Sequence, residues 1–166
     1  MDLVTGAQVA VTVIVPMPRE RMWELITAVD RLGGWSPETH AAGWADGSVG
    51  PEPGARFFGH NRFPNGIVST VTCVVTEAER PAVFAWTVLD QDGQVGSTWR
   101  YELRDGNDPG STEVRHSFTH GPGDSGARTA AAVDQQELDR RLVRLCRNMT
   151  TTITAMIAGQ STGASR

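Results

Sequence analysis

Cysteine is scarce in this chain. Two residues in 166, Cys73 and Cys146, cannot make a disulfide scaffold. Each falls in an apolar pattern, so both are read as reduced core thiols whose reactivity is suppressed by burial. Lys and Arg nowhere form a block, and the net charge is −4. A nucleic-acid surface or an anionic-membrane surface is therefore not expected. No apolar run approaches a membrane span, so no membrane insertion is expected. The opening MDLVTGAQVAVTVIV has no basic leader and alternates too regularly for a signal peptide, which points to a cytoplasmic location. Internal repeats and low-complexity blocks are also missing.

What is present is ordinary globular composition, 39% hydrophobic and 20% charged. A chain of 166 residues suits one domain with a real core. Residues 8–15 (QVAVTVIV) read as a strand ending at Pro16. Residues 18–29 read as a helix, with Pro18 in its first turn and Met22, Leu25, Ile26 and Val29 at helical spacing. Gly33-Gly34 breaks it, and Pro37 could open a second short helix. A short strand and a Gly/Pro turn follow over 40–54. Five strand-like runs come next, at 55–63, 67–76, 82–88, 95–104 and 112–120. Their connections are too short for parallel crossovers, so neighbours must be antiparallel. Residues 121–133 read as a Gly- and Ala-rich connector. Residues 134–159 form one long amphipathic helix with a capping box at Asp134 and Glu137 and a stop at Gly159. Residues 1–159 would be the domain and 160–166 a flexible tail. The order defines an α+β fold: a meander sheet of about seven strands with helices on one face.

Several strings, VPMPRERMWELITAVDRLGGWSPE, GARFFGHNR, FAWTV and STWRYEL, together with this order of elements, resemble the polyketide cyclase/dehydrase and lipid-transport superfamily, also called SRPBCC, START or Bet v1-like. The resemblance spans residues 8–158. It implies a helix-grip fold, in which a curved antiparallel sheet holds the long C-terminal helix around a deep, mainly apolar cavity. Relatives include polyketide cyclases and aromatases, lipid carriers and hormone receptors.

Period-2 alternation says which residues face that cavity. The inward sets are Phe84, Trp86 and Val88; Trp99, Tyr101 and Leu103; Val114, His116, Phe118 and His120; and Ile67, Ser69, Val71, Cys73 and Val75. Strand 55–63 depends on its turn. If Phe63-Pro64-Asn65-Gly66 makes a type I turn with a bulge at Gly66, then Phe57, Gly59 and Asn61 face in. A two-residue Asn-Gly loop would put His60 and Arg62 there instead.

Two functional classes fit. The first is a cofactor-independent cyclase or dehydratase acting on a polyketide-like substrate. His116 would be a neutral base kept unprotonated by desolvation, with Tyr101 and Asn61 orienting oxygens. Against this, His116 and Tyr101 could simply satisfy each other, and Asn61 could bond across to Ser69. The second class is a carrier or sensor of a hydrophobic small molecule, using the same cavity without chemistry. A third, an interaction module, lacks an exposed apolar run to support it. The ligand-contacting wall in either leading case is Phe57, Ser69, Val71, Cys73, Phe84, Trp86, Trp99 and Phe118, closed by Met149 and Ile153 from the helix. Trp35, Glu38 and Trp44 stand at the mouth, as lid and gate or as plain packing and a solvated carboxylate. No metal is expected: His116 and His120 stand ~13 Å apart at strand spacing and have no carboxylate cluster beside them. No other cofactor is expected either. GPGDSG (121–126) matches a dinucleotide-binding pattern but lacks its βαβ context, and no Ser-His-Asp set carries a nucleophile elbow. The protein would be a monomer or homodimer whose partner is a hydrophobic small molecule.

Overall fold

The computed structural model describes residues 4–164. Strand β1 (Gln8–Val15) leads into helix α1 (Arg19–Ile26) and a 3₁₀ helix (Val29–Gly34). Six strands follow: β2 (Thr39–Ala45), β3 (Arg56–Arg62), β4 (Val68–Glu79), β5 (Val83–Leu89), β6 (Val95–Asp105) and β7 (Thr112–His120). Helices α2 (Gly126–Val133) and α3 (Gln135–Ala164) close the chain. All seven strands form one antiparallel sheet in the order β1-β7-β6-β5-β4-β3-β2. Consecutive strands from β2 to β7 are neighbours, as their short turns require. The chain crosses from one sheet edge to the other only once, through α1 and the 3₁₀ helix.

The β3–β4 turn takes the bulged form. The N–H of Phe63 donates to the Ile67 carbonyl at 2.9 Å, and that of Gly66 donates to Phe63 at 2.9 Å. Gly66 has φ +84°, a left-handed conformation that costs glycine nothing. Phe57 then pairs with Cys73, Gly59 with Val71 and Asn61 with Ser69. Arg56, His60 and Arg62 take the opposite face; Arg56 and Arg62 are exposed, and His60 Nδ1 hydrogen-bonds with Thr70 Oγ1 at 2.8 Å.

Several local expectations are corrected. The first helix is shorter than 18–29, because the Thr27 hydroxyl and N–H both donate back to the Trp23 carbonyl and close its last turn. The second helical piece precedes Gly33-Gly34 instead of starting at Pro37. Residues 36–39 are a turn in which Ser36 Oγ accepts from the N–H groups of Glu38 and Thr39. The connector at 121–133 carries α2, capped where Ser125 Oγ accepts from the Arg128 N–H at 3.2 Å. Helix α3 starts as expected, with Asp134 accepting from the Glu137 N–H at 2.8 Å. Glu137 does not return the bond; it pairs with Arg140. The helix runs past Gly159 to Ala164, and the last two residues of the expected tail lie outside the described residues. Among the described residues, no helix is long and apolar enough to cross a membrane.

The core has two parts. In one, Met22, Trp23, Leu25 and Ile26 of α1 pack with Phe84, Tyr101, Leu103, Val114, Ile153 and Met156. In the other, Leu138, Leu145 and Met149 of α3 pack with Phe118, Ala127 and Val4. The 3₁₀ helix lies directly on β2. A Cβ on Gly33 would sit 2.3 Å from the His40 carbonyl oxygen, whereas one on Gly34 would meet nothing within 4 Å. Gly33→Ala should therefore destabilise by about 1–3 kcal/mol, since backbone must move. Gly34→Ala should stay within about 0.5 kcal/mol of the wild type. Urea unfolding midpoints of the two variants check this, and equal effects would contradict the close approach.

Candidate functional site: an aromatic cavity with a polar end

Between sheet and helix lies a cavity of about 840 Å³ that touches both parts of the core. Its aromatic wall follows from register. Trp86 on β5 pairs with Trp99 on β6, Trp99 with Phe118 on β7, and Tyr101 with His116. Paired residues share a face, so these rings meet. The indoles of Trp86 and Trp99 lie parallel with centroids 6.3 Å apart. Trp99 meets Phe118 edge to face at 5.0 Å, and Phe57 meets Trp86 the same way at 5.7 Å.

Tyr101 and His116 come together, but not as a hydrogen-bonded pair. Their rings stack at 3.7 Å with planes 22° apart. Trp86 and Trp99 complete the surround of the imidazole at 6.1 and 5.7 Å. Both His116 ring nitrogens are buried without a hydrogen-bond partner in the protein. Burial lowers the His116 pKa from 6.5 to about 3, because nothing nearby supports the charged form. The same burial pushes the Tyr101 phenol upward. At neutral pH both groups are uncharged.

Most of the residues expected on the wall line the cavity: Trp35, Glu38, Phe57, Asn61, Ser69, Val71, Cys73, Phe84, Trp86, Trp99, Phe118 and Met149. Trp44 does not; its ring packs edge to face on Phe57 at 5.7 Å. Nor does Ile153, which is fully buried in the core, while Thr152 and Met156 on the adjacent stripe of α3 take the cavity face. Asn61 Oδ1 accepts from Thr39 Oγ1 at 2.7 Å, so its partner is on β2 and not Ser69. Burial drives the Cys73 thiol up to about 12, which leaves it protonated and unreactive.

Sequence reasoning missed Arg141 and Asn148. The Arg141 guanidinium pairs with both carboxylate oxygens of Glu38, one bond at 3.2 Å, and Asn148 Nδ2 donates to the same carboxylate at 2.9 Å. The Arg141 and Glu38 side chains are only 13% and 15% exposed. Arg141 also stands 5.3 Å over the Phe63 ring. Glu38 is thus neither solvated nor unpaired; it ties the turn before β2 to α3 at one end of the cavity. The missed signal was periodic: 141, 145, 148, 149 and 152 share one face of α3, and only its apolar members drew attention. Further polar groups line the cavity where β5 ends, β6 begins and β7 ends: Asp90, Gln91, Ser97, Asp124 and Ser125.

A curved sheet gripping a C-terminal helix around such a cavity defines a Bet v1-like helix-grip protein. A sequence model of the polyketide cyclase/dehydrase and lipid transport family matches residues 6–150, and the chain belongs to that family. Solved structures share the fold. Protein Ms6760 from Mycobacterium smegmatis is 22% identical, over 98% of this chain and 95% of its own, with a TM-score of 0.66. Ara h 8.0201 is 13% identical over 92% and 95%, with a TM-score of 0.63. BexL, a di-domain ARO/CYC from the BE-7585A biosynthetic pathway, is 15% identical over 92% of this chain and 49% of its own, with a TM-score of 0.64. No curated protein matches the chain by sequence.

The His116 environment sets a pH dependence. The unfolded chain binds a proton near pH 6.5, the folded one only near pH 3. Between these values the unfolded state holds more protons, so this residue lowers stability as pH falls through that window, by at most about 1.4 kcal/mol per pH unit. His116→Phe removes that contribution. Denaturant unfolding from pH 7 to 4.5 should show the variant gaining on the wild type as acid is added. Parallel profiles would contradict the burial of an unprotonated imidazole.

Proposed function

We propose that this protein binds a flat, hydrophobic, partly oxygenated small molecule, aromatic or polyketide-like, inside the cavity. One observation carries the reading: His116 stands in an aromatic wall with both nitrogens lacking a protein partner. Leaving a buried polar group unpaired costs about 1–3 kcal/mol, and folded proteins rarely retain one without use. A ligand oxygen reaching the imidazole supplies the missing partner. The rings of Trp86, Trp99 and Phe118 offer flat apolar contact, and Asn61 and Ser97 add polar points of orientation.

Cofactor-independent cyclisation or dehydration is the second reading. It is favoured by an unprotonated imidazole in the wall and by the fold shared with an ARO/CYC protein. In it His116 takes a proton from carbon beside a carbonyl, and Tyr101 and Asn61 hold oxygens. The energetics favour binding. A histidine with a pKa of about 3 is roughly 5 kcal/mol harder to protonate than a solvated one, and base catalysis works best near the operating pH.

Tryptophan fluorescence titration with polycyclic phenols and quinones tests the reading. The wild type should quench saturably. His116→Phe keeps the stack on Tyr101 and should bind about 10-fold more weakly while the unliganded protein gains about 1–3 kcal/mol of stability. Equal affinity in the two proteins would refute the anchoring role. Recovery of the compound by mass spectrometry separates the two classes: unchanged for a binder, cyclised or dehydrated for an enzyme.

A further inference from the structure

At the polar end of the cavity, away from the His116 stack, the chain builds a second arrangement that ligand binding does not use. His120 is the last residue of β7 and is 2% exposed. Its Nδ1 lies 2.6 Å from the Gly121 carbonyl oxygen, and its Nε2 is hydrogen-bonded with Ser125 Oγ. A carbonyl only accepts, so Nδ1 carries the proton. Nε2 then presents its lone pair, and the bond to Ser125 runs from hydroxyl to imidazole. Ser125 is half-buried and lines the cavity. A serine hydroxyl donating to a buried imidazole that a third group orients is the geometry of an activated nucleophile.

The surrounding backbone holds that geometry. The Gly121 N–H donates to Gly96 and the Gly123 N–H to Val95, at 2.9 and 2.8 Å. Asp90 accepts from the N–H groups of Asp92, Gln94 and Asp124. A Cβ on Gly121 would sit 2.2 Å from the Val95 carbonyl oxygen, so the loop is pressed against β6. Arg128 Nε donates to the Gly123 carbonyl at 3.1 Å. Ser125 also caps α2, and the Thr129 N–H makes the first helical bond, to the Ser125 carbonyl at 3.0 Å. As in any helix, the N–H groups of the first turn have no i−4 carbonyl inside the helix, and those after the serine lie beside it. The N–H after a nucleophile at a helix start is well placed to meet a developing oxyanion.

We propose that Ser125 and His120 form a nucleophile–base pair that hydrolyses carboxylic esters whose acyl part is apolar enough to lie among the cavity's rings. Ser125 Oγ attacks the ester carbonyl carbon while its proton passes to His120 Nε2. The tetrahedral adduct collapses, the bond to the alcohol oxygen breaks, and Nε2 returns the proton to that oxygen. Water then gives a proton to Nε2 and attacks the acyl-serine; the acid leaves and Ser125 regains its hydroxyl. The sum is ester plus water to acid plus alcohol.

A fluorophosphonate reagent and p-nitrophenyl octanoate test this on the full chain. The reagent should add once, on the tryptic peptide of residues 116–128, and the ester should be hydrolysed above buffer background. Ser125→Asn keeps a good helix cap but has no nucleophile, and should lose the adduct and at least about 100-fold of the hydrolysis. His120→Gln should lose a similar factor. Absence of the adduct from Ser125 in the wild type overturns the proposal whatever the variants do, and so does wild-type hydrolysis by a folded Ser125→Asn protein. The outcome is separate from the His116 reading: a chain that binds phenols but takes no adduct is a binder without this activity.

Discussion

One helix cannot cover the inner face of seven strands, and the rest of the structure follows from that mismatch. Strands spaced ~4.8 Å apart make a sheet roughly 29 Å across, while a helix with its side chains is only ~10 Å wide. The sheet has to curl around α3, and α1 has to fill one end. Met22, Trp23, Leu25 and Ile26 do so against Phe84, Tyr101 and Ile153. At the other part of the core Leu138, Leu145 and Met149 meet Phe118 and Ala127. The space between is walled by rings and filled by none of them.

A cavity made this way dictates the behaviour of the polar groups on its wall. His116 pairs in register with Tyr101 on the cavity wall, among rings that offer it no hydrogen bond. It stays neutral and unpaired there. Other polar groups find partners in the chain: Glu38 with Arg141 and Asn148, Asn61 with Thr39, His120 with Ser125. The division between an unpartnered His116 and polar groups partnered within the chain is what separates ligand recognition at His116 from the Ser125 pair.

The fold was legible because strand alternation and turn chemistry agree. Pro64 and Gly66 alone decide whether Asn61 or His60 faces in, and the bulged turn they specify sets the register of β3 on β4. Contacts made across the sequence were not legible. Glu38 and Arg141 are 103 residues apart, and a search for apolar periodicity passes over a charged residue on the same helical face. Register could bring Tyr101 beside His116, but it could not say that rotamers would stack the rings instead of joining their edges. Helix α2 was hidden in a segment rich in Gly and Ala that reads equally well as a connector. The His120–Ser125 contact was hidden with it, because it needs the turn through Gly121 and Gly123 to bring β7 and α2 together.

The most direct test of the central claim is a crystal structure of the protein with a small molecule bound in the cavity. The account predicts an oxygen or nitrogen of that molecule within about 3.2 Å of a His116 ring nitrogen, with its flat part against Trp86 and Trp99. A molecule that fills the cavity and leaves both His116 nitrogens unpartnered would contradict it.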